Sequence, residues 1–200
     1  MKYILIAIGA LLIIWASFQI AKKTTLQSLR DQKAVFDTFQ TTKSGWLYSE
    51  TIGSNAASGV ERARVALSGP LGLSSKEVIY FIAQADNDGN RLSSSCDYRV
   101  LGQSLDTRWW SLTLYDSKTE KYVPNSINRS SWNNENIVRD EAENWIINVS
   151  GKPQNGNWLP SQSENRLEYE LMLRLYNPSD TLRKALPNIT LPQVERLSCS

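Results

Sequence analysis

Aromatic and amide side chains are the residues of this chain whose types best suit ligand binding. Six of the seven tryptophans follow the N-terminal apolar segment, and two of them, Trp109 and Trp110, are adjacent. Adjacent residues of a strand project to opposite faces, so one ring fills a core and the other faces solvent, a loop or a ligand. Flat rings beside Asn and Arg suit sugar rings or peptide segments. The candidate ligand-binding residues are Trp109, Trp110, Asn128, Arg129, Asn157, Trp158, Arg174 and Tyr176.

Catalysis has few candidates because the chain contains no histidine. Histidine is the commonest general base and metal ligand, and its absence excludes Ser-His-Asp and Cys-His systems. Paired carboxylates could still perform acid–base chemistry on glycosides. The candidates for that role are Asp97, Asp116, Asp140, Glu141 and Glu143, none of which lies in a recognisable motif. A carboxylate-dependent hydrolase acting on envelope carbohydrate is therefore the alternative hypothesis, and no residue is predicted to be catalytic.

The charged residues form no recognisable site for a cofactor, a metal ion or a nucleic acid. The segment Asp86–Gly89 resembles part of a calcium loop, but Gln84 and Ser95 stand where its first ligand and its bidentate glutamate belong. A hairpin turn is the favoured interpretation. The formal net charge is +2 and the arginines are scattered, whereas a nucleic-acid binder has a clustered basic face. We expect no cofactor, no bound metal and no nucleic-acid partner.

The N-terminal segment predicts a membrane anchor. Residues 3–21 are uncharged, and a helix of that length spans the hydrocarbon core of a bilayer. A cleaved signal peptide is the rival interpretation, but cleavage after Ala16 or Ala21 would lack the small residue required two positions earlier. We expect an uncleaved anchor over residues 1–23, a helical stalk or linker over 24–43, and a folded domain over 44–200.

Alternation of apolar and polar residues predicts that the folded domain is mainly β. Residues 78–83 form an apolar run of strand length, and residues 111–115 and 145–149 alternate. The clearest strand, residues 167–176, should point Leu167, Tyr169, Leu171, Leu173 and Leu175 inward and Glu168, Glu170 and Arg174 toward water. Gly-, Asn- and Pro-containing turns join these segments. The pattern is typical of an antiparallel β-sandwich or jelly roll.

One short helix is predicted ahead of the first long strand. Ser58 and Glu61 have the spacing of a capping box, in which a hydroxyl and a carboxylate each satisfy a free amide at the helix start. The helix should end near Ser68, before Gly69 and Pro70. The expected architecture is therefore a β domain with one or two short helices behind an N-terminal transmembrane helix.

The positive charges and the cysteines favour different compartments. Lys22 and Lys23 follow the apolar segment, together with Arg30 and Lys33, whereas Lys2 alone precedes it. The positive-inside rule would therefore leave the domain in the cytoplasm. Cys96 and Cys199 can form a disulfide, which persists only in oxidising compartments, although two unrelated buried thiols are an equal alternative from the residues alone.

A series of short motifs resembles a known bacterial family. In chain order they are RA at 62–63, IYF at 79–81 with DNDG at 86–89, CDY at 96–98, RWWSLTLYD at 108–116, NSINR at 125–129, NWLP at 157–160, LRLYNP at 173–178, and LP at 186–187 leading to Cys199. Over roughly Ser44 to Cys199 this series resembles domain of unknown function 1214, especially its short membrane-anchored members from Gram-negative bacteria. The resemblance implies a jelly-roll-like β-sandwich, a Cys96–Cys199 disulfide and a periplasmic domain. It supplies no catalytic residue.

These observations predict a non-catalytic module of the cell envelope. It would be anchored in the inner membrane through residues 3–21, with its C-terminal domain in the periplasm, and would bind a glycan, a peptide or another envelope protein. A structural subunit of a membrane complex is a further hypothesis. The candidate residues also have a structural interpretation, because tryptophans often pack under loops and Asn157 can set a turn.

Overall fold

The computed structural model describes residues 2–29, 39–68, 73–161 and 167–199. The chain divides into two compact units. The helical unit comprises Met1–Thr38 and Ala56–Gly72, and the β unit comprises Phe39–Asn55 and Leu73–Ser200.

The helical unit contains a long apolar helix, α1 (Lys2–Leu29). This helix is long and apolar enough to cross a membrane, although a signal sequence near an N-terminus meets the same criteria. Its apolar side chains are exposed over the predicted anchor, which is expected where every side of a helix is apolar. The helix continues into the predicted stalk as far as Leu29, and residues 30–38 of the stalk lie outside the described residues.

The second helix of this unit, α2 (Gly59–Ser68), confirms the short helix predicted from the capping box. The Ser58 amide donates to Glu61 Oε2 at 2.7 Å, and the Glu61 amide donates to Ser58 Oγ at 3.2 Å. The two side chains therefore satisfy amides that have no partner within the helix. The predicted stop at Gly69 and Pro70 lies outside the described residues.

Within its described residues, the β unit contains ten strands. They are β1 (Gln40–Thr41), β2 (Leu47–Tyr48), β3 (Val78–Ala83), β4 (Cys96–Gly102), β5 (Thr107–Asp116), β6 (Ser131–Asn133), β7 (Trp145–Ser150), β8 (Asn157–Pro160), β9 (Tyr169–Pro178) and β10 (Gln193–Cys199). Two short helical turns, α3 (Asp180–Lys184) and a 3₁₀ turn at Leu186–Asn188, precede β10. The first strand, Gln40–Thr41, falls at the end of the segment predicted as a stalk or linker.

The strands form two separate sheets, which confirms the mainly β prediction. Sheet I has the order β1-β2-β3-β9-β5-β6, and sheet II has the order β10-β4-β7-β8. Neighbouring strands are antiparallel except for β7 and β8, which are parallel. The all-antiparallel prediction is wrong for this pair. Residues 151–156 carry the chain back beside the start of β7, so β8 runs in the same direction as β7.

One hydrophobic core lies under both sheets. Leu112 in β5 and Leu173 in β9 line it from sheet I, and Val100 in β4 and Ile147 in β7 line it from sheet II. Each is fully buried, and burial of such a side chain stabilises a fold by about 1.5–3 kcal/mol. The alternating strands thus fold as their patterns predict, with every second residue in the core.

A disulfide links β4 to β10, the strand beside it at the edge of sheet II. Cys96 begins β4 and Cys199 ends β10, and their sulfur atoms lie 1.98 Å apart. The bond closes a loop with a sequence separation of 103 residues. This is the pairing that the family resemblance implies, and it attaches the last strand to the sheet.

The segment Asp86–Gly89 forms a tight turn, as the favoured interpretation predicts. Asp86 Oδ1 accepts hydrogen bonds from the amides of Asp88 at 3.1 Å and Asn90 at 2.8 Å. Gly89 has a φ of 82°, which is the left-handed conformation that glycine adopts most easily. Ala85 and Arg91 pair across the turn. The Asp86 carboxylate therefore holds its own loop together.

Glu170 is a correction to the sequence-based pattern. It lies on the outward face of sheet I, as predicted, but it is only 4% exposed instead of facing water. Gln84 donates a hydrogen bond to it at 3.4 Å, and burial raises the pKa of its carboxyl to about 7. Arg174, on the same face, is half-buried. The pattern fails here because the outward face of sheet I is covered.

Candidate functional site

The outward faces of the two sheets differ in accessibility. On β3, β5 and β9 the central outward side chains of sheet I are buried or half-buried, including Ile82, Ser111 and Thr113. On sheet II, Ile146 is 42% exposed, and Gln193 and Leu197 are also exposed. A ligand therefore has better access to the outward face of sheet II.

Three predicted ligand-binding residues come together on the covered face of sheet I. The ring of Trp109 meets that of Tyr176 edge-on, with centroids 5.1 Å apart. Arg174 donates hydrogen bonds to Thr113 Oγ1 at 3.3 Å and to the Tyr115 hydroxyl at 2.8 Å. The guanidinium of Arg174 is thus bound to its own sheet, which favours a structural role for this cluster.

Three other candidates lie apart from this cluster. Trp110 is buried in the core, where its ring stacks on that of Trp145. Asn128 and Arg129 lie in an exposed turn in which Asn125 Oδ1 accepts a hydrogen bond from the Arg129 amide at 2.9 Å. The Arg129 guanidinium lies 4.3 Å from the ring centroid of Trp132. This turn is exposed but is not a cavity.

Asn157, the first residue of β8, is buried and uses all of its side-chain hydrogen-bonding groups locally. Its Oδ1 accepts from the Val138 amide at 2.8 Å, and its Nδ2 donates to the carbonyls of Val138 at 2.8 Å and Ile146 at 2.9 Å. A side-chain amide has the same kinds of donor and acceptor as a peptide group, so Asn157 bonds the main chain of Val138 as the main chain of a neighbouring strand would. It thereby fixes the segment around Val138 against β7.

Trp158, the residue after Asn157, lies on the outward face of sheet II. Its indole Nε1 donates to the Ser150 carbonyl at 2.9 Å, so the ring is held against the sheet. In the parallel register, Trp158 is the partner of Asn148. It lies beside a cavity of the β unit but does not line it.

That cavity, which we call the groove, has a volume of about 870 Å³ and lies over sheet II. Leu101 of β4 and Ile146 of β7 form its floor, and residues of four connecting loops line its sides. Its lining residues are Arg99, Leu101, Gly102, Gln103, Leu105, Val138, Arg139, Asp140, Asn144, Trp145, Ile146, Asn148, Asn155, Gly156, Asn157, Thr190, Leu191, Pro192 and Gln193.

The strand register arranges the floor of the groove in two layers. In the apolar layer, Leu101 pairs with Ile146 and also with Gln193 of β10. In the polar layer, two residues earlier on β4, Arg99 pairs with Asn148 and also with Glu195. Residues two apart in a strand share a face at a spacing of about 6.6–6.8 Å, so the layers lie side by side.

Some polar side chains of the groove form hydrogen bonds or ion pairs within the protein, and others have none within the described residues. Arg139 contacts Glu143 at 3.5 Å and donates to the Asn134 carbonyl at 2.8 Å. Asp140 accepts bonds from Ala142 and Asn144, and those from Asn144 lower the pKa of its carboxyl most. The side chain of Arg99, in contrast, is half-buried and has no hydrogen bond or ion pair within the described residues.

The groove supplies binding groups rather than a metal centre or a carboxylate pair. Asp140 lines it, whereas the other four candidate carboxylates do not. Among the residues that the structure describes, no three His, Cys, Asp or Glu side chains lie close enough together to hold a metal ion. The chemistry that this arrangement offers is apolar contact on the floor, amide hydrogen bonds at the rim and one guanidinium.

Only Asn157 of the predicted site residues lines the groove. Arg99, Leu101 and Ile146 were not among the candidates. The alternation of buried Tyr98 and Val100 with outward Arg99 and Leu101 was a signal that could have located a strand there. It could not have shown that the outward face of this strand is open.

A family model described as protein of unknown function (DUF1214) matches residues 77–180, which is just over half of the chain. The chain belongs to the DUF1214 family. The resemblance found in the sequence motifs is thereby confirmed. The DUF1214 match runs from β3 to β9, so it includes three strands that line the groove, β4, β7 and β8, and ends before β10.

A solved structure resembles this DUF1214 chain in fold. The crystal structure of the VPA0106 protein from Vibrio parahaemolyticus matches with a TM-score of 0.58 and 22% identity over 72% of this chain and 36% of that protein. An uncharacterised protein from Burkholderia cenocepacia matches with a TM-score of 0.41 and 15% identity, over 62% of this chain and 30% of that one. The chain thus spans about a third of the length of these structures. No curated protein matches it in sequence.

Proposed function

We propose that this DUF1214 chain is a membrane-anchored module of the bacterial cell envelope that binds an extended peptide segment, free or within an envelope protein, in the groove. Its two sheets pack on one hydrophobic core, which supports a β-sandwich as the body of the module. The apolar helix α1 would anchor it in the inner membrane. Binding, rather than catalysis, is the role of the groove.

The observation that carries the proposal is the pair of exposed aliphatic side chains in the groove. Val138 is 65% exposed and Ile146 is 42% exposed, and both lie among amide side chains. Exposed apolar residues inside a polar rim mark sites for protein or ligand contact. A bound peptide would cover them with its own aliphatic side chain and satisfy the amides with its main chain.

The groove favours a peptide over a glycan. Sugar rings bind best on the flat face of an exposed aromatic ring. Trp145, the aromatic residue that lines the groove, is buried, and its Nε1 donates to the Gln103 carbonyl at 3.1 Å. Branched aliphatic side chains such as Val138 and Ile146 suit the side chains of a peptide instead.

The proposed compartment is the periplasm. The Cys96–Cys199 disulfide would persist there and would be reduced in the cytoplasm. The lysines after the anchor favour the opposite orientation. The disulfide carries more weight than the lysines because the family resemblance implies both this pairing and a periplasmic domain.

A hydrolase remains the weaker candidate. Asp140 is the carboxylate in the groove, and its oxygens are occupied by the amides of its own turn. Two carboxylates facing one another would be needed for glycoside hydrolysis. The geometry of the groove therefore supports binding better than hydrolysis.

The test is a peptide-display selection against the full chain in lipid nanodiscs. Selected peptides should bind the wild type and lose about tenfold or more in affinity with Ile146→Ser, because that change removes an apolar contact from the floor. Ile127→Ser is the matched control, since Ile127 is similarly exposed (46%) and does not line the groove. Selected peptides that bind Ile146→Ser as well as the wild type would contradict the proposal.

A further inference from the structure

The two layers of the groove floor define the chemistry of a matching peptide. Arg99 and Leu101 are two residues apart on β4, and β7 repeats the division with Asn148 beside Arg99 and Ile146 beside Leu101. An extended peptide also places alternate side chains on one face, at nearly the same spacing. A peptide lying along these strands would therefore set one side chain over each layer.

Arg99 is the charged side chain of the groove that has no partner within the described residues. A guanidinium presents five N–H donors in a fixed fork and binds a carboxylate through two parallel hydrogen bonds. Arg139, the other arginine of the groove, is already bonded to Asn134 and Glu143. Arg99 is half-buried, so a bond formed there is less screened by water than one at an exposed arginine.

Two acidic residues near Arg99 limit how much negative charge the site accepts. Glu195 is its register partner on β10, yet the two do not form an ion pair in the described structure. Asp97 lies two residues earlier on the same face of β4 and contacts Ser198 at 3.4 Å. A single carboxylate of a ligand can bind Arg99, whereas a run of acidic residues would be repelled by Glu195 and Asp97.

Building on the proposed function, we infer that the bound peptide carries one acidic side chain that pairs with Arg99. Two residues away, it carries an aliphatic side chain that packs on Leu101 and Ile146. The carboxylate would form the two parallel bonds that the guanidinium offers. The aliphatic side chain would cover the exposed surface of the apolar layer, and Asn148 would be placed to bond the peptide beside the carboxylate.

The experiment measures binding of short labelled peptides to the full chain in nanodiscs of uncharged lipid. The probe is an acetylated and amidated peptide with Glu and Leu two positions apart in a Gly/Ser background. It is compared with the same peptide carrying Gln for Glu and with one in which Glu and Leu are adjacent. The Glu peptide should bind about tenfold or more tightly than either. The Gln peptide loses the bond between charged groups, and the peptide with adjacent Glu and Leu cannot place both side chains on the same face.

Arginine variants test whether Arg99 causes the preference for the Glu peptide over the Gln peptide. Arg99→Gln should make the Glu and Gln peptides bind equally, and Arg99→Lys should retain only part of the difference, because a lysine lacks the fork. Arg108→Gln is the matched control, since Arg108 is an exposed arginine of sheet I, and it should leave the difference intact. Glu195→Gln should tighten the Glu peptide by removing a repelling charge. Circular dichroism of each variant confirms that the fold is retained.

The outcomes separate this inference from the proposed function. The display-selected peptides could depend on Ile146 while the Glu and Gln peptides bind equally. That result would overturn the inferred pairing of an acidic side chain with Arg99 and would leave the proposed peptide-binding function intact. If a Gln peptide with a free C-terminal carboxylate binds as tightly as the amidated Glu peptide, Arg99 recognises a chain end and the inference is overturned. If no peptide depends on Ile146, both proposals fail.

Discussion

Trp110 and Trp145 stack across the core with ring centroids 4.9 Å apart, so one ring from each sheet meets the other. The Trp145 ring also lies against Gly102, its register partner on β4. A Cβ atom at position 102 would lie 2.1 Å from that ring. The contact between the sheets therefore depends on the absence of a side chain at residue 102.

Gly102→Ala should destabilise the β unit because the added methyl group displaces Trp145 from its stack. Overpacking of this kind costs about 1–3 kcal/mol. The free energy of unfolding can be measured by urea titration followed by tryptophan fluorescence. Gly59→Ala is the control, since its Cβ would meet nothing within 4 Å. Equal stability of Gly102→Ala and wild type would show that the stack can move without cost.

Reduction of the Cys96–Cys199 disulfide should lower stability. In the chain-entropy model a loop of this length contributes about 4–5 kcal/mol. The thermal midpoint of the purified chain should fall on addition of a thiol reductant. The double variant Cys96→Ala/Cys199→Ala should start lower and show no response.

The same cysteines report on the compartment. Acid-quenched cells are dissolved in neutral denaturing buffer that contains a maleimide reagent, because the thiolate is the reactive form. If the β unit is periplasmic, the reagent should label neither cysteine until the extract has been reduced. Labelling of both cysteines without prior reduction would place the β unit in a reducing compartment, and the periplasmic orientation would be wrong.

Asn157→Ala should loosen the wall of the groove. The substitution removes three hydrogen bonds and leaves the amide and carbonyl of Val138 without their partner, at a cost of about 2–4 kcal/mol. Asn155→Ala is the matched control, because that side chain is exposed and should change stability by less than about 0.5 kcal/mol. Hydrogen exchange at the Val138 amide is the most direct readout. Unchanged protection of that amide in Asn157→Ala would contradict the role given to Asn157.

Glu170 should make the β unit less stable as the pH rises. Its carboxyl has a pKa of about 7 in the folded chain, raised by burial from 4.5, with Glu120 and Asp116 adding to the rise and Gln84 and Arg91 opposing it. Between these two values the unfolded chain releases a proton that the folded chain retains. The free energy of unfolding should therefore fall by about 2–3 kcal/mol from pH 4.5 to 7 and level off above that range.

Glu170→Gln should abolish this pH dependence and stabilise the fold at pH 8, because a neutral amide needs no proton to be buried. Urea midpoints at pH 5 and pH 8 provide the measurement. Glu168→Gln, an exposed neighbour, should behave as the wild type. A pH slope in Glu170→Gln equal to that of the wild type would assign the effect to another group.

Local sequence patterns predicted the strands well because alternation reflects a property of each strand alone. Val78–Ala83 is a strand, as its apolar run predicted, and the strand around Leu171 and Leu173 has those predicted residues in the core. The adjacent pair Trp109 and Trp110 divides between two faces, as the geometry of a strand requires. The motif series also identified the family correctly.

Features that depend on distant segments could not be predicted in the same way. The burial of Glu170 follows from how the outward face of sheet I is covered, and no local pattern records that. The parallel pairing of β7 and β8 depends on the path of residues 151–156. The groove needs β4, β7 and β10 side by side, so its key residues, Arg99 and Ile146, gave no sign of proximity along the chain.

The way Asn157 holds its neighbour has a consequence for how this surface can diversify. All of its bonds to residue 138 go to main-chain atoms, so the hold is indifferent to which side chain residue 138 carries. Under the proposed function, substitutions at that position would alter which peptides the groove binds while the scaffold stays in place. The buried side-chain amide of Asn157 thus makes the fold independent of the side chain at residue 138. The proposed specificity of the groove can therefore change at this position during evolution without loss of the fold.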